Sequence, residues 1–435
     1  MVVFPQVALN LLKQIEVHQY DAYLVGGCVR DALLNIETHD IDICTNMPFE
    51  LLVTVFVDYK PKLFERFGNL TFKVDQYDIE ITRFRKEGVY LNHRHPSTLD
   101  FEAGLLDDLM RRDFTINGIL YHTTNGILDY VDGMYDIKHR LLRTINDPVL
   151  TFQEDYLRML RLIRFQSQTG FEIETETYQA WKSNFYKISH LSWNQVRPEF
   201  IKLIMTENFV DTVYTHPNVL LFLIDEFKVA YTFDQNNQFH KYNLFEHTLE
   251  VMRHLDGLEL RLAGLFHDLG KIHTKVMKDN GQSGYPNHAK ESAKIAFRYL
   301  EGTAINVDLV CKLIRYHDLS IPTDYVAMKK LVSKHGLEFM RMLIDFKKAD
   351  NIAKSDLAFY QIEKCDQYHR FLDTIEIEKP VLLIKDLDIK GDALGVDAAS
   401  RKMALEYLLM GVIEGKIENK KEVLLKEVKR WDILR

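Results

Sequence analysis

The feature of this sequence that most constrains its fold is a change in hydrophobic periodicity near residue 147. Before that point, apolar and polar residues alternate in short stretches with a period of two, which is typical of half-buried strands. After Asp147-Pro148 the apolar residues recur at helical spacing through most of the remaining chain. We therefore expect an α+β protein in which a small N-terminal head with a mixed sheet precedes a long all-α body.

Within the head, the pattern predicts a helix at residues 5–19, a strand at 22–25 and a short helix at 29–34. It also predicts a strand at 40–44 and a hairpin in which residues 71–74 pair with 77–84. A chain of 435 residues is long enough for several domains with real cores. We expect four segments, with boundaries at 1–145, 146–230, 231–378 and 379–435.

The net charge and the cysteine positions limit which partners and which cellular compartment we expect for this protein. The net charge of −8 provides no global basic field, so a nucleic-acid partner would need a local basic surface. The four cysteines are far apart without a CxxC pair, and we expect free, mostly buried thiols in a reducing compartment. The N-terminus lacks a secretory pattern and no stretch reaches transmembrane length, so we expect a cytoplasmic protein without a membrane partner.

Two aspartates share one face of the strand predicted at residues 40–44. Asp40 and Asp42 alternate with isoleucines, so both carboxylates should project to the same side. Oxygen ligands placed in this way can hold Mg²⁺ against a triphosphate. Upstream, Gly26 and Gly27 follow an apolar run, where paired glycines let backbone N–H groups approach phosphate oxygens. A D-x-D motif alone is usually a solvated strand end, but its combination with this turn favours a nucleotide site.

The segment Arg111-Arg112-Asp113-Phe114-Thr115-Ile116-Asn117 places two cations, a carboxylate and an amide within seven residues. Arginine suits multidentate contact with phosphate, and Asp or Asn side chains can bind ribose hydroxyls. The alternative is a helix start that Asp113 caps while both arginines are solvated.

Further along, Asp155 and Arg158 are expected to be neighbours on one helix. An acceptor beside a forked donor can mimic the Watson–Crick edge of a base and select a nucleotide without a template. The alternative is an ordinary intrahelical ion pair. Arg161 and Arg164 extend this basic stripe, either toward phosphate or a nucleic-acid backbone or into structural ion pairs.

Taken in order, GGxVRDxLL, DxD, RRDFTIN, EDxxR and LRxxRF resemble the class II tRNA nucleotidyltransferase and bacterial poly(A) polymerase superfamily over residues 20–170. The resemblance implies a polymerase beta-like head and template-independent addition of CMP and AMP, from CTP and ATP, to the 3′ end of tRNA. It implies that Asp40 and Asp42 are catalytic and bind Mg²⁺. The residues that it places against the nucleotide are Gly26, Gly27, Arg30, Arg111, Arg112, Asp113, Asn117, Asp155, Arg158, Arg161 and Arg164.

Two departures from the family pattern bear on which nucleotides are added. The acidic-basic pair of the family's ERIR motif, in the neck helix, is replaced by Asn194-Gln195, and the flexible loop reads Asn92-His93-Arg94-His95-Pro96 instead of D-x-R-R-P. A poly(A) polymerase, or an enzyme that adds only CC or only A, is therefore kept as an alternative.

The body contains a second constellation, in which His247 is followed twenty residues later by His267-Asp268 and then by Asp350. An HD pair that closes an apolar helix can turn toward one metal. The pattern resembles the HD metal-dependent phosphohydrolase superfamily, which implies these four ligands and places the domain in segment 231–378. His288 and His317 fit second-metal positions or phosphate contacts, or are satisfied surface histidines.

The resemblance further implies a divalent transition ion (Ni²⁺, Mn²⁺ or Co²⁺) and activity on 2′,3′-cyclic phosphates or 2′-phosphates. The alternatives are an HD fold without hydrolase activity, and an HD phosphohydrolase whose N-terminal half only binds RNA. Segment 379–435 is expected to be helical, either approaching tRNA or serving as a packing unit. The sequence sets no expectation for the oligomeric state.

Overall fold

The computed structural model describes residues 2–397 and 400–433. The chain divides into two compact units, Met1–Leu223 and Ile224–Arg435, which are described separately. The four-segment division expected from the sequence stays a prediction, and residues 398–399 and 434–435 of its last segment lie outside the described residues.

The strands of the first unit are β1 (Ala22–Val25), β2 (Asp40–Thr45), β3 (Lys62–Phe64), β4 (Asn69–Val74), β5 (Tyr77–Arg83), β6 (Lys86–Glu87), β7 (Tyr90–Leu91), β8 (His95–Pro96), β9 (Leu99–Asp100), β10 (Leu120–His122), β11 (Gly126–Leu128), β12 (Leu141–Leu142) and β13 (Glu172–Ile173). Its α-helices are α1 (Gln6–Glu16), α2 (Gly27–Leu33), α3 (Phe49–Val55), α4 (Leu105–Met110), α5 (Gly133–His139), α6 (Pro148–Glu154), α7 (Leu157–Thr169), α8 (Thr175–Asn184), α9 (Trp193–Ile204), α10 (Phe209–Thr215) and α11 (Asn218–Leu223).

The main sheet of the first unit has the order β11-β10-β1-β2-β5-β4-β3 within the described part of the chain. Strands β2 and β5 run parallel, and the other neighbouring pairs are antiparallel. The register sets Asp42 opposite Val25 on one side and opposite Glu80 on the other. Ile41 and Ile43 are buried in the core with apolar residues of α1, α2 and α3, so the pleat directs the carboxylates to the other face.

The predicted α+β class is confirmed, and the main elements of the head lie close to their expected positions. Strand β1 and the β4–β5 hairpin match the alternation of the sequence. Helix α2 begins at Gly27, two residues earlier than expected, because Gly26 turns the chain directly after β1 with a φ of +79°.

One local expectation is wrong: Asp155 does not share a helix with Arg158. Helix α6 ends at Glu154, Asp155 has extended backbone angles (φ −134°, ψ 106°), and α7 begins at Leu157. The Asp155 carboxylate accepts a hydrogen bond from the Leu157 N–H at 2.9 Å, which satisfies a free donor at the start of α7. Asp155 therefore caps the start of α7 instead of continuing the helix from α6.

The second unit contains α12 (Glu226–Ala230), α13 (Leu244–Arg253), α14 (Leu258–Phe266), α15 (Lys271–Thr274), β14 (Val276–Met277), β15 (Ser283–Gly284), α16 (His288–Leu300), α17 (Val307–Tyr316), α18 (Tyr325–His335), α19 (Leu337–Ile352), α20 (Phe359–Glu378), α21 (Arg401–Ile413) and α22 (Lys421–Ile433). Apolar residues between 387 and 428 form a cluster of their own. Across residues 2–397 and 400–433, no helix has both the length and the apolar character needed to span a bilayer.

Candidate functional site

A cavity of about 1100 Å³ in the first unit collects the residues that the sequence assigned to nucleotide binding. Its lining includes both aspartates of β2, the glycine turn, the arginine segment that follows α4, and Asp155 with the arginines of α7. All thirteen predicted residues of this group line the one cavity: Gly26, Gly27, Arg30, Asp40, Asp42, Arg111, Arg112, Asp113, Asn117, Asp155, Arg158, Arg161 and Arg164.

The two aspartates of β2 differ in their surroundings. Asp40 is exposed, whereas Asp42 is half-buried beside the turn at Gly26. A Cβ on Gly26 would lie 3.0 Å from Asp42 Oδ2, so any residue other than glycine at this position would crowd the carboxylate. Burial, reinforced by the neighbouring Glu80 carboxylate, raises the pKa of Asp42 to about 6. Two carboxylates that share a strand face and open into a cavity provide the hard oxygen ligands that Mg²⁺ prefers.

The arginines that follow α4 are held by a buried carboxylate. Arg111 Nη2 and Arg112 Nη2 lie 2.6 and 2.9 Å from the two oxygens of Asp108, which is fully buried. Both arginines are mostly buried, so the alternative in which they are solvated is wrong. Because Asp108 orients both guanidiniums, their conformations are fixed before any ligand binds.

Asp113 and Asn117 belong to a second hydrogen-bonded set beside the glycine turn. Asp113 accepts hydrogen bonds from Arg161 Nε at 2.6 Å and from the Asn117 amide at 3.3 Å. Arg30 donates to Asn117 Oδ1 at 2.8 Å and to Asp31 at 2.8 Å. Burial by itself would raise the pKa of Asp113, but the Arg161 guanidinium outweighs it and holds that pKa at about 2. This carboxylate is therefore ionised at any physiological pH.

Asp155 and Arg158 face the same cavity with different partners. Asp155 Oδ2 is 2.9 Å from Arg94 Nη1, and Arg158 Nη1 is 2.7 Å from Glu154. The ordinary intrahelical pair between Asp155 and Arg158 is thus not what the structure contains. Arg158 also donates to the Tyr90 hydroxyl at 3.3 Å. Asp155 and Arg158, which the sequence predicts as the base-selecting pair, both line the cavity. Arg94, from the loop between β7 and β8, occupies the Asp155 carboxylate.

The departure in the neck helix has a local explanation. Gln195 Oε1 accepts hydrogen bonds from the Ser192 N–H at 2.8 Å and from its hydroxyl at 2.9 Å, so the amide caps the start of α9. One turn later, the buried Glu199 forms an ion pair with Arg164 of α7. The Glu199–Arg164 pair thus attaches α9 to α7 without the missing acidic-basic pair, while the Gln195 contacts stabilise the start of α9 itself.

A second site lies in the second unit, where four histidines and two aspartates converge. The ligand atoms of His247, His267 and Asp350 lie within 4.8 Å of one another, and those of Asp268, His288 and His317 form a second such group. Asp268 joins the groups, because its Oδ2 is 3.2 Å from His267 Nε2 while its Oδ1 is 3.3 Å from His288 Nε2. All six predicted residues are buried.

Hydrogen bonds behind the histidines fix which ring nitrogen faces the centre. The Nδ1 atoms of His267, His288 and His317 lie 2.8, 2.9 and 2.7 Å from backbone carbonyls, which can only accept, so Nδ1 carries the proton. The Nε2 atoms of His247 and His267 are buried and make no well-aligned hydrogen bond, although carboxylate oxygens lie close to both: Asp350 Oδ1 is 3.2 Å from His247 Nε2 and Asp268 Oδ2 is 3.2 Å from His267 Nε2. Inward-facing imidazole nitrogens and carboxylate oxygens fit divalent metal ions.

Two lysines compensate the carboxylates of this site. Lys271 Nζ is 2.6 Å from Asp268 Oδ2, and Lys354 Nζ is 2.5 Å from Asp350 Oδ2. Burial would raise the pKa of Asp268, but His267 and Lys271 keep it well below the usual range. The site therefore presents charged carboxylates to a cation.

Several residues that shape these sites were missed in the sequence. Asp108 was detectable, because it precedes Arg111 and Arg112 by three and four residues at the end of a helix. Tyr90 begins the short strand β7, which the sequence pattern does not define. Arg94 lies in the flexible loop noted in the sequence, but its ion pair with Asp155 was not predicted. Lys354 stands four residues after Asp350 on the turn that ends α19, and spacing alone did not distinguish it from a solvated lysine.

Two family models match the chain: the poly A polymerase head domain over residues 22–143 and the HD domain over residues 244–388. The chain therefore combines a head domain of the poly A polymerase type with an HD domain, and the resemblance stated from the motifs is confirmed.

The four cysteines are free and buried, as expected.

Individual relatives are CCA-adding enzymes. That of Staphylococcus saprophyticus is 41% identical over 200 residues, which are 46% of this chain and 49% of the relative. That of Staphylococcus aureus is 39% identical over 209 residues, 48% of this chain and 52% of the relative. The chain thus spans about half the length of the curated relatives it matches.

Solved structures show the same fold. The Bacillus stearothermophilus CCA-adding enzyme in complex with CTP has a TM-score of 0.70 at 24% identity, covering 100% of this chain and 99% of that one. The Thermotoga maritima CCA-adding enzyme complexed with tRNA has a TM-score of 0.55 at 19% identity, covering 99% and 96%.

Proposed function

We propose that this chain is a CCA-adding tRNA nucleotidyltransferase, which transfers CMP and AMP from CTP and ATP to the 3′ end of tRNA. The observation that carries the proposal is the single cavity lined by the D-x-D aspartates, the glycine turn, the arginine segment and the Asp155–Arg158 wall. The names of the staphylococcal relatives support it, and so do the CTP and tRNA in the titles of two structural relatives.

In this reaction the terminal 3′-hydroxyl of tRNA forms a bond to the α-phosphorus while the bond to the bridging oxygen breaks, and diphosphate leaves. Asp40 and Asp42 would hold Mg²⁺, which when bound neutralises phosphate charge and favours loss of the hydroxyl proton. Arg111 and Arg112, held by Asp108, present preoriented donors to the triphosphate, so little reorganisation is required at the transition state.

Base selection follows from the donors and acceptors on the cavity wall. Cytosine and adenine both present an exocyclic amino donor next to a ring-nitrogen acceptor, whereas uracil and guanine present a carbonyl oxygen at that place. The Asp155 carboxylate can accept from the amino group while Arg158 donates to the ring nitrogen. A nucleotide that binds in this way must replace Arg94 at Asp155 Oδ2.

The test is nucleotide incorporation into a tRNA that ends before CCA, with each NTP singly and in pairs. Two C residues followed by one A and then a stop are expected. Asp40→Ala should abolish incorporation, whereas Asp78→Ala, which changes the exposed aspartate opposite Asp40 in β5, should not. An Asp40→Ala protein that extends tRNA at the wild-type rate would overturn the assignment.

The same assay separates the alternatives. Long A tails would identify a poly(A) polymerase, and a product that stops after CC, or that accepts only A, would identify a partial enzyme. No incorporation, together with phosphoester hydrolysis, would leave a hydrolase with an RNA-binding first half. The cytoplasmic location stays a prediction.

We also propose that the second unit is a metal-dependent phosphohydrolase acting on 2′,3′-cyclic phosphates or 2′-phosphates. The supporting observation is the set of buried Nε2 atoms on His247 and His267, which make no well-aligned hydrogen bond, with two joined ligand groups. A Mn²⁺, Ni²⁺ or Co²⁺ ion held there would activate a water molecule. Hydrolysis of a cyclic phosphate adds that water to phosphorus, breaks one ring P–O bond and transfers a proton to the leaving oxygen.

Two readouts test this hydrolase. Mn²⁺, Ni²⁺ or Co²⁺ should raise the unfolding midpoint and support hydrolysis of 2′,3′-cyclic AMP. His267→Ala should lose both effects, and His254→Ala, at the end of α13 and outside both ligand groups, should retain them. A wild-type protein that binds none of these ions would refute the metal site.

A further inference from the structure

Within the described part of the chain, one of the three lysines that line the cavity at the HD centre has no carboxylate partner. This cavity has a volume of about 270 Å³, and its lining includes these lysines, three aspartates and two of the predicted ligand histidines. The third aspartate, Asp318, lies close to those two histidines. Lys271 and Lys354 are each paired with a ligand aspartate. Lys278 forms no ion pair within residues 2–397 and 400–433. Its ammonium group is therefore available to an anion that enters from solution.

The β14–β15 hairpin presents this lysine to the cavity. A Cβ on Gly284 would lie 2.8 Å from Lys278 Cε, so the aliphatic part of the lysine passes directly over the glycine. The hairpin is fixed to the preceding loop, because Ser283 N–H donates to the Asn236 carbonyl at 3.1 Å and Asn236 Nδ2 donates to the Gly281 carbonyl at 3.0 Å. Lys278 is the first residue of the loop between β14 and β15; these bonds anchor the backbone of that loop, while the lysine side chain is exposed.

Metal ions bound by the two ligand groups would hold one phosphate at the HD centre. Lys271 and Lys354 are already engaged by ligand aspartates. An additional unpaired ammonium at the same cavity suits a second anionic group on the same ligand. In RNA the next phosphate along the chain lies on the 5′ side of the same nucleoside, so a terminal nucleotide carries two phosphates within a limited range of separations.

We propose that Lys278 binds the 5′-phosphate group of the terminal nucleotide while the 2′,3′-phosphate occupies the metal centre. The HD site then selects RNA 3′ ends, in which that 5′ group is the phosphodiester link, over mononucleosides that lack it. This inference rests on the proposed hydrolase function. It names a specificity-determining residue and a substrate class for that site.

The hydrolysis test uses two substrates with Mn²⁺-loaded protein: 2′,3′-cyclic AMP and its 5′-phosphorylated derivative. Wild type should prefer the 5′-phosphorylated substrate by roughly tenfold in kcat/KM, as expected for one charge-assisted hydrogen bond. Lys278→Gln should bring this ratio close to one, and Lys278→Arg should restore part of it. Lys290→Gln removes the same charge from an exposed position on α16 outside the cavity and should leave the ratio unchanged.

A binding measurement keeps this proposal separate from the hydrolase proposal. Calorimetry should show Mn²⁺-loaded wild type binding adenosine 3′,5′-bisphosphate roughly tenfold more tightly than 3′-AMP, with the difference lost in Lys278→Gln. If binding behaves in this way but no cyclic phosphate is cleaved, the hydrolase proposal fails and the Lys278 contact stands. Equal affinities in wild type, or a preference that survives in Lys278→Gln, would overturn the inference.

Discussion

Ionised Asp42 should destabilise the folded head domain, and Asp42→Asn should relieve the cost. Burial and the Glu80 carboxylate raise the pKa of Asp42 from 3.8 to about 6. At 1.36 kcal/mol per pKa unit, the ionised side chain costs up to about 3 kcal/mol of folding free energy above pH 6. The asparagine has a similar shape and no charge, so the variant should be more stable than wild type at pH 7 in the absence of metal.

The sign of the pH dependence follows from the direction of the shift. Because the folded pKa lies above the unfolded one, the neutral form of Asp42 favours folding below about pH 4, and this contribution is lost as pH rises through 6. The free-energy difference between Asp42→Asn and wild type should therefore grow between pH 4 and 6 and stay constant above that.

Urea denaturation in EDTA at several pH values measures this difference. Glu80→Gln is the matched control, because removing the second carboxylate should lower the pKa of Asp42 and shrink the pH-dependent part. Added Mg²⁺ should stabilise wild type and not Asp42→Asn. Parallel free-energy curves for wild type and Asp42→Asn from pH 4 to 8 would show that Asp42 ionises like an exposed carboxyl, and the reasoning would be refuted.

Two further substitutions test the packing around the cavity. Glu199→Gln leaves the largely buried Arg164 without its carboxylate and should lower the free energy of unfolding by about 3 kcal/mol; a change below 0.5 kcal/mol in urea denaturation would contradict a buried pair. Gly26→Ala adds a Cβ at positive φ, 3.0 Å from Asp42 Oδ2, and should reduce nucleotide incorporation at least tenfold. Gly27→Ala, whose Cβ meets nothing closer than 3.5 Å, should have a much smaller effect, and equal losses in both variants would contradict the steric argument.

The sequence predicted the head well where the burial pattern has a single solution. Ile41 and Ile43 alternate with Asp40 and Asp42, and a one-residue shift in register would bury both carboxylates, so the strand and its polar face were predictable. The parallel pairing of β2 with β5, which brings Glu80 beside Asp42, depends on contacts distant in the chain and was not.

The sequence did not correctly predict the junction between α6 and α7. Asp155 is compatible with a helix interior and with a cap, and the local sequence does not decide between them. The structure uses it as a cap and pairs it with Arg94, 61 residues earlier in the chain. Similarly, the sequence shows Gln195 only as part of a lost charged pair, whereas in the structure its amide oxygen has a capping role that needs no charge.

The position of Asp268 has a consequence for how this HD centre can vary during evolution. One carboxylate oxygen faces the group that contains His267, and the other faces the group that contains His288 and His317. With an ion at each group, replacement of His288 or His317 would remove a ligand from the second ion and leave the first unchanged. Replacement of Asp268 would remove a neighbouring carboxylate from both groups at once, so a one-metal descendant of such a site would be expected to retain it.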